Sequence, residues 1–257
     1  MKILFIGDIV GRPGRNAIKE RLKDIIDKHS IDVCIANGEN SAGGSGITQR
    51  IADELLYYGI DLITTGDHVW RNKDIFSFIS KNGRVLRPAN YPAETPGKGY
   101  CVFQTSKGNK IGVINLLGRV FMKPVECPFK TVKKILSEIK NETNTIIVDF
   151  HAEATSEKVA MGWYLDGDVS AVLGTHTHIP TADYKILSKK TAYITDVGMV
   201  GAEKSVLGRD IEPVLKHFTT SLPSRFTVAD GKIIVQSVIV EIDEKTGLAI
   251  NISRLEY

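Results

Sequence analysis

Cysteine is scarce in this chain: Cys34, Cys101 and Cys127 are the only three in 257 residues, and none forms a C-x-x-C. An odd count without that spacing argues against a disulfide scaffold and against a structural zinc knuckle. Any bound metal would therefore rest on nitrogen and oxygen. Cys34 sits inside an apolar strand pattern and reads as a small core residue. No apolar run reaches the roughly eighteen residues that a membrane span needs. The start, Met1-Lys2 followed by a short apolar run and Gly7-Asp8, lacks the longer apolar stretch and small-residue cleavage site of a signal peptide, so a cytoplasmic location is expected. One-sided charge is missing too. The net charge of +3 is a solvated surface, and no basic stripe with interleaved aromatics suggests direct nucleic-acid binding. No Gly-Lys-[Ser/Thr] follows the glycines at Gly43-Gly44, so that loop is not a P-loop. Ser/Pro-rich linkers, repeats and low-complexity segments are also lacking.

What is present is an ordinary folding composition, 42% hydrophobic and 25% charged, long enough to bury a sizeable core. Lys2–Ile6 reads as a buried strand, with Asp8 just past its end and Gly11-Arg12-Pro13-Gly14 as a turn cluster. Ala17, Ile18, Leu22, Ile25 and Ile26 recur at helical spacing, which predicts a helix from about Arg15 to Lys28. A second strand over Asp32–Ala36 leads into Asn37-Gly38-Glu39-Asn40. After the glycine-rich loop Ser41–Gly46, a second helix runs from an N-cap at Thr48 to Gly59, and a third strand over Asp61–Thr65 ends at Gly66-Asp67-His68. The alternation predicts a parallel sheet with right-handed crossovers, whose working residues gather at the carboxyl ends of the strands.

Further along, Tyr100–Gln104 and Lys110–Asn115 flank Lys107-Gly108-Asn109 as a hairpin. Pro128–Asn141 reads as a helix, Thr145–Phe150 as a strand ending at His151, and Ser156–Leu165 as another helix. Val169–Leu173 is a buried strand followed by Gly174-Thr175-His176-Thr177-His178, and Pro180 stops the ladder. Lys190–Thr195 is a strand, and Arg225–Ala229, Lys232–Ile242 and Leu248–Leu255 predict an antiparallel meander. A single domain over residues 1–257 is expected: an α/β fold with two mixed sheets flanked by helices.

Asp8, Glu39-Asn40, Asp67-His68, His151 and the His176/His178 pair thus all stand at strand ends, and four of the six histidines belong to this set. Taken singly, each has an ordinary reading as a cap, a turn former or a hydrogen-bonded residue at the core edge. Structural caps need no agreement among five strands, whereas a dinuclear metal site does. Two imidazoles one residue apart can aim at one small volume. Imidazole with carboxylate suits iron, manganese, zinc or cobalt better than magnesium or calcium. Such a pair of ions lowers the pKa of a bridging water and grips phosphate oxygens, which favours in-line hydrolysis of a phosphate ester. His29 and His217 fall on helices and read as surface residues.

The order of these motifs resembles the calcineurin-like metallophosphoesterases, and in particular the small bacterial YmdB-like phosphodiesterases. The stretches that carry the likeness are Gly7–Gly14, Asn37-Gly38-Glu39-Asn40, Gly66-Asp67-His68-Val69-Trp70, Asp149-Phe150-His151-Ala152-Glu153 and Gly174–His178. The resemblance implies a four-layer sandwich and a set of roles. Asp8, Asn40 and His178 would hold one metal, Asp67, His151 and His176 the second, and Glu39 would bridge. His68 would act on the leaving oxygen without binding metal. It further implies two iron or manganese ions, with zinc as an alternative, and a cyclic-nucleotide substrate, above all a 2′,3′-cyclic one. A homo-oligomer is implied as well.

Two departures stand out. The wider superfamily has D-x-H at the first strand, where this chain has Val10 and Asn40 fills the gap. Its G-N-H asparagine is Asp67 here, which adds a negative charge to the site. That charge favours metal binding and works against an anionic substrate, so a weakly active regulatory or scaffold protein of the same fold is the alternative reading. An amidohydrolase would place H-x-H after its first strand, and a metallo-β-lactamase fold would show H-x-H-x-D-H; neither occurs. The Ser41–Gly46 loop suits either a close backbone approach to phosphate or a tight crossover. Arg12 and Arg119 read as surface arginines that could also hold an anion.

Overall fold

The computed structural model describes residues 1–257. Strand β1 (Lys2–Ile6) leads through Gly7 into a two-residue strand β2 (Asp8–Ile9), and helix α1 spans Gly11–His29. Asp8 therefore lies within a strand rather than past one. The Gly11-Arg12-Pro13-Gly14 stretch is the first turn of α1, not a separate turn. Pro13 is tolerated there because the first N–H groups of a helix have no intrahelical partner. Then come β3 (Val33–Asn37), α2 (Gln49–Tyr57), β4 (Leu62–Thr64), α3 (Ile75–Ile79) and β5 (Val85–Leu86). Thr48 caps α2 as expected, its Oγ1 accepting from the Ile51 amide at 3.3 Å.

The second half holds β6 (Tyr100–Gln104), β7 (Lys110–Leu117), α4 (Pro128–Ile139), β8 (Ile146–His151), α5 (Thr155–Tyr164) and β9 (Ala171–Thr175). It continues with β10 (Lys185–Ile186), β11 (Ala192–Ile194), β12 (Met199–Ala202), α6 (Ile211–Thr220), β13 (Ile233–Ile242) and β14 (Ala249–Glu256).

One sheet runs β2-β12-β13-β1-β3-β4-β5, with β14 also on β13; the other runs β10-β11-β9-β8-β7-β6. Both are mixed. β1, β3, β4 and β5 are parallel, while β13 enters antiparallel beside β1. The expected meander is thus split: β13 and β14 pair, but Arg225–Ala229 contributes only an isolated bridge between Arg209 and Val228.

Strand periodicity sorts the side chains into three cores. Ile3, Phe5, Val33 and Ile35 meet Val113, Ile147 and Leu173 in the layer between the sheets. Leu4 and Ile6 turn the other way, onto Ile18, Leu22 and Leu55 of α1 and α2. Val148 and Phe150 do the same on the far side, against Val132 and Leu136 of α4 and Met161 of α5. The order is helix, sheet, sheet, helix. Helix α6 stands apart from this scheme, because it buries only Val214 and leaves Leu215 and Phe218 exposed.

Candidate metal centre

The carboxyl ends of β1, β3 and β4 from one sheet meet those of β8 and β9 from the other. Glu39, Asp67, His151 and His176 converge, with one donor atom from each lying within 4.8 Å of the others. Asp8, Asn40 and His178 adjoin them. The Asp8 Oδ1 lies 3.7 Å from His178 Nε2, and the Asn40 Nδ2 lies 3.1 Å from both His178 Nε2 and Glu39 Oε1. The two groups are tied by the His176 amide, which donates to Asp8 Oδ2 at 3.1 Å. With His68, whose Nδ1 lies 3.2 Å from Glu39 Oε1, all eight residues singled out in the sequence are brought to one place.

Local backbone explains the convergence. Gly66 has no room for a side chain: a Cβ there would stand 2.3 Å from the His151 ring and 2.4 Å from Glu39 Oε2. His176 and His178 both take left-handed backbone, with φ of 97° and 64°. Each costs about 1–2 kcal/mol for an L-residue. Thr177 between them is pinned from behind, since its amide and hydroxyl both donate to Asp196 Oδ2, at 3.0 and 2.7 Å. The same carboxylate accepts from Lys158 Nζ at 2.8 Å, and both members of this ion pair are fully buried.

Each imidazole has one nitrogen committed outward. His151 Nδ1 meets Thr175 Oγ1 at 2.9 Å, and that hydroxyl donates to Asp149 Oδ1 at 2.7 Å. His178 Nδ1 donates to the Leu207 carbonyl at 3.1 Å. His176 turns Nε2 to Glu153 at 3.1 Å. The opposite nitrogens all face the cluster, and this is how metal-binding imidazoles are oriented. His151 Nε2 and His176 Nδ1 come within 3.0 Å of one another, a separation that needs a proton or a cation to share. Asp8 Oδ1 and Asp67 Oδ1 are buried and accept no hydrogen bond. A buried carboxylate oxygen without a partner is costly. Imidazole nitrogens and orphaned carboxylate oxygens converging on one point fit a transition-metal ion. In one detail the fit needs a change: Asn40 turns its NH2 toward His178 and its Oδ1 to His68, so holding a cation beside Asp8 requires the amide reversed.

The electrostatics carry the same strain. Burial opposes ionisation of Glu39, yet His151 and His68 hold it well below the usual carboxylate range. Burial likewise works against a charged His151, but Glu39 and Asp67 hold it well above its ordinary value. Burial and the neighbouring His151 push His176 down to about 3, and burial raises Asp8. Protons here do the work a dication would do. His68 is one-quarter exposed and stands at the edge. Its Nδ1 lies 2.9 Å from Asn40 Oδ1 and 3.2 Å from Glu39 Oε1, and Glu39 raises its pKa. Arg12 and Arg119 are both exposed. Arg209, which the sequence reading passed over, holds the glycine loop through the Gly43 and Gly44 carbonyls. Thr175, Asp196 and Lys158 were also missed. Asp196 was visible as a strand end, but nothing in a helical pattern marks Lys158 as buried.

A two-sheet sandwich with carboxylates and imidazoles gathered where the sheets meet is the architecture of the metallophosphoesterases. A family model described as "YmdB-like protein" matches residues 4–255. The chain belongs to the YmdB-like family. It is 49% identical over 255 residues to the 2′,3′-cyclic-nucleotide 2′-phosphodiesterase of Bacillus subtilis, covering 99% of this chain and 96% of that protein. A hypothetical protein from Thermus thermophilus, known from its crystal structure, superposes with a TM-score of 0.94 at 40% identity, covering 100% of this chain and 99% of that one. A crystal structure of a phosphatase from Mycoplasma pneumoniae gives 0.93 at 35% identity, with 100% and 93% covered.

Proposed function

We propose that the protein is a dinuclear-metal phosphodiesterase that hydrolyses 2′,3′-cyclic nucleotides to nucleoside monophosphates. The observation that carries this reading is the pair of buried, partnerless oxygens on Asp8 and Asp67, ringed by three imidazoles whose free nitrogens face them. The likeness to the Bacillus subtilis enzyme supplies the substrate class. Asp8, Asn40 and His178 would hold one ion, Asp67, His151 and His176 the other, and Glu39 would reach both. Iron or manganese suits this nitrogen–oxygen set best, with zinc next. When bound, such ions supply Lewis acidity toward the phosphoryl oxygens and an activated water.

The remaining work falls to the chain. Thr175, Leu207 and Glu153 fix which nitrogen each imidazole presents. Glu39 Oε1 lies 3.2 Å from His68 Nδ1 and Asp67 Oδ2 lies 3.8 Å from Nε2; both carboxylates favour the imidazolium, whose Nε2–H is the proton a leaving ribose oxygen can take. Its partial exposure leaves that face open to substrate.

The test is turnover of 2′,3′-cyclic AMP by protein loaded with manganese or iron, beside His68→Ala. Loss of the general acid should lower kcat by about a hundredfold or more while the bound metal is retained. A wild-type protein that carries both ions and leaves this substrate untouched would refute the assignment. The second reading, a tuned-down regulatory protein, is favoured by one feature, the additional carboxylate at Asp67. Where the metal-loaded wild type is inert on this substrate, activity gained by Asp67→Asn would select it.

A further inference from the structure

The most exposed large apolar side chain in the molecule is Phe121, at 89%, and the segment that carries it is tied to the metal centre on both sides. It lies on the arm between β7 and α4. That arm leaves the sheet next to the cluster, since Leu117 at the end of β7 pairs with His151, and the Gly118 amide donates to the His151 carbonyl at 2.9 Å. It passes back over the other side, where Lys123 Nζ donates to the Asp67 carbonyl at 3.4 Å. Phe121 is two residues from Lys123, a backbone reach of at most about 7 Å.

The arm is anchored on both sides of its apex. Glu157, itself buried, accepts the amides of Arg119 and Val120 at 3.1–3.2 Å. Asn90 clamps the base, accepting from the Leu117 amide and donating to the carbonyls of Leu117 and Glu126 at 2.8–2.9 Å. The apex is a turn closed by the Met122 amide on the Arg119 carbonyl, and Phe121 occupies it with φ of 63°. Left-handed backbone disfavours a bulky residue, and exposure gives its ring no packing in return. Neither folding nor solubility accounts for an aromatic ring displayed at that point.

We infer that Phe121 is a nucleobase platform: the base of a nucleotide stacks on its ring while the phosphate lies at the carboxylate–imidazole cluster between the arm's two ends. This rests on the cyclic-nucleotide reading above. Aromatic rings bind bases in this way without reading their edges, so the platform confers preference for a nucleotide over other phosphodiesters rather than for one base. A rigid arm suits the role because little freedom is lost when ligand binds. Lys123 sets a positive charge on the phosphate side.

The experiment compares the manganese-loaded protein with Phe121→Ala and Phe121→Trp on two substrates, 2′,3′-cyclic AMP and the 2′,3′-cyclic phosphate of methyl riboside, which has no base. The ratio of kcat/KM for the nucleotide over the base-free compound should fall about tenfold in Phe121→Ala, through KM, and be kept in Phe121→Trp. An unchanged ratio in Phe121→Ala overturns the platform. Titration with adenosine 3′-monophosphate separates this from the proposed activity. If wild type turns over neither substrate, the catalytic reading fails, and a tenfold weaker nucleotide affinity in Phe121→Ala still supports the platform. Equal affinities refute it, as does a Phe121→Ala protein that changes only its sedimentation, which would make the ring a contact between copies.

Discussion

At the scale of the residue, the clearest signal is polar atoms left without partners. Tyr91 is the third such case near the centre. Its hydroxyl is buried and makes no hydrogen bond, and its pKa is pushed up to about 12 by burial and then by Asp67 and Glu39. A buried donor with no acceptor contributes nothing to stability and pays its desolvation. Tyr91→Phe should therefore keep or raise the melting temperature, measured by calorimetry on the metal-loaded protein; a fall of several degrees would show that the hydroxyl has a partner in solution. Asp67 gives the second prediction at this scale. Asp67→Asn removes one negative charge from a site that takes an anion, so KM for 2′,3′-cyclic AMP should drop while metal content, measured by elemental analysis, stays at its wild-type value. Loss of one metal equivalent instead would show that the carboxylate is needed for binding. These two residues differ in legibility. Asp67 and the other seven site residues stood out in the chain because each lies at or near the end of an apolar run and carries a side chain with few bland uses in such company. Tyr91 gave no signal, since its position depends on how the Pro88–Pro96 loop folds back over Trp70, with ring centroids 6.0 Å apart.

At the scale of the element, the ends of strands were readable and the supports behind them were not. Periodicity placed β1, β3, β4, β8 and β9 within a residue or two, because a buried strand between glycines has few alternatives. The strands β2, β10 and β12 run only two to four residues, too short for any period to show, and β12 exists because β2 and β13 are there to pair with it. Arg225–Ala229 has the alternation of a strand but pairs only at one bridge, Val228 with Arg209. Helix α5 shows the hidden support most clearly. From its inner face Lys158 reaches Asp196, and that carboxylate holds the turn that carries His176 and His178. Lys158→Met keeps the bulk and removes the charge, leaving Asp196 buried alone. Removing one member of a buried pair costs about 3–5 kcal/mol, so the variant should unfold at clearly lower denaturant concentration. Lys158→Met with Asp196→Asn should recover much of that stability, because no lone charge is left. Metal affinity should stay low in the double variant, since the carboxylate that pins Thr177 is gone. Full metal affinity in the double variant would mean that the turn holds itself.

At the scale of the molecule, the centre is also the seam between the sheets. One sheet supplies Asp8, Glu39, Asn40 and Asp67, and the other supplies His151, His176 and His178. Apolar packing joins the sheets along most of their length. At the carboxyl end the contacts become polar: Asn37 to Asp149, the Thr65 amide to Asn115, and the His176 amide to Asp8. Without a cation, that end holds carboxylates and imidazoles that must share protons, with the Asp8 and Asp67 Oδ1 atoms left without hydrogen bonds. Ions bound there would neutralise both sets at once and join the sheets directly. Ligation that exists only in the folded state adds about 2.7 kcal/mol at a hundredfold excess over Kd. For a chain of this size each kcal/mol moves the midpoint by about 2–4 °C. Stripping metal with a chelator should accordingly lower the melting temperature by about 5–10 °C, and manganese should restore it. The loss should also be local at first. In hydrogen exchange the His176 amide, which donates to Asp8 across the seam, should lose protection in the stripped protein while the β6–β7 hairpin at the far edge keeps its own. Equal melting temperatures with and without chelator, or loss of protection spread evenly over both sheets, would mean that apolar packing alone sets the distance between the sheets and that the cluster merely rides on a scaffold already closed.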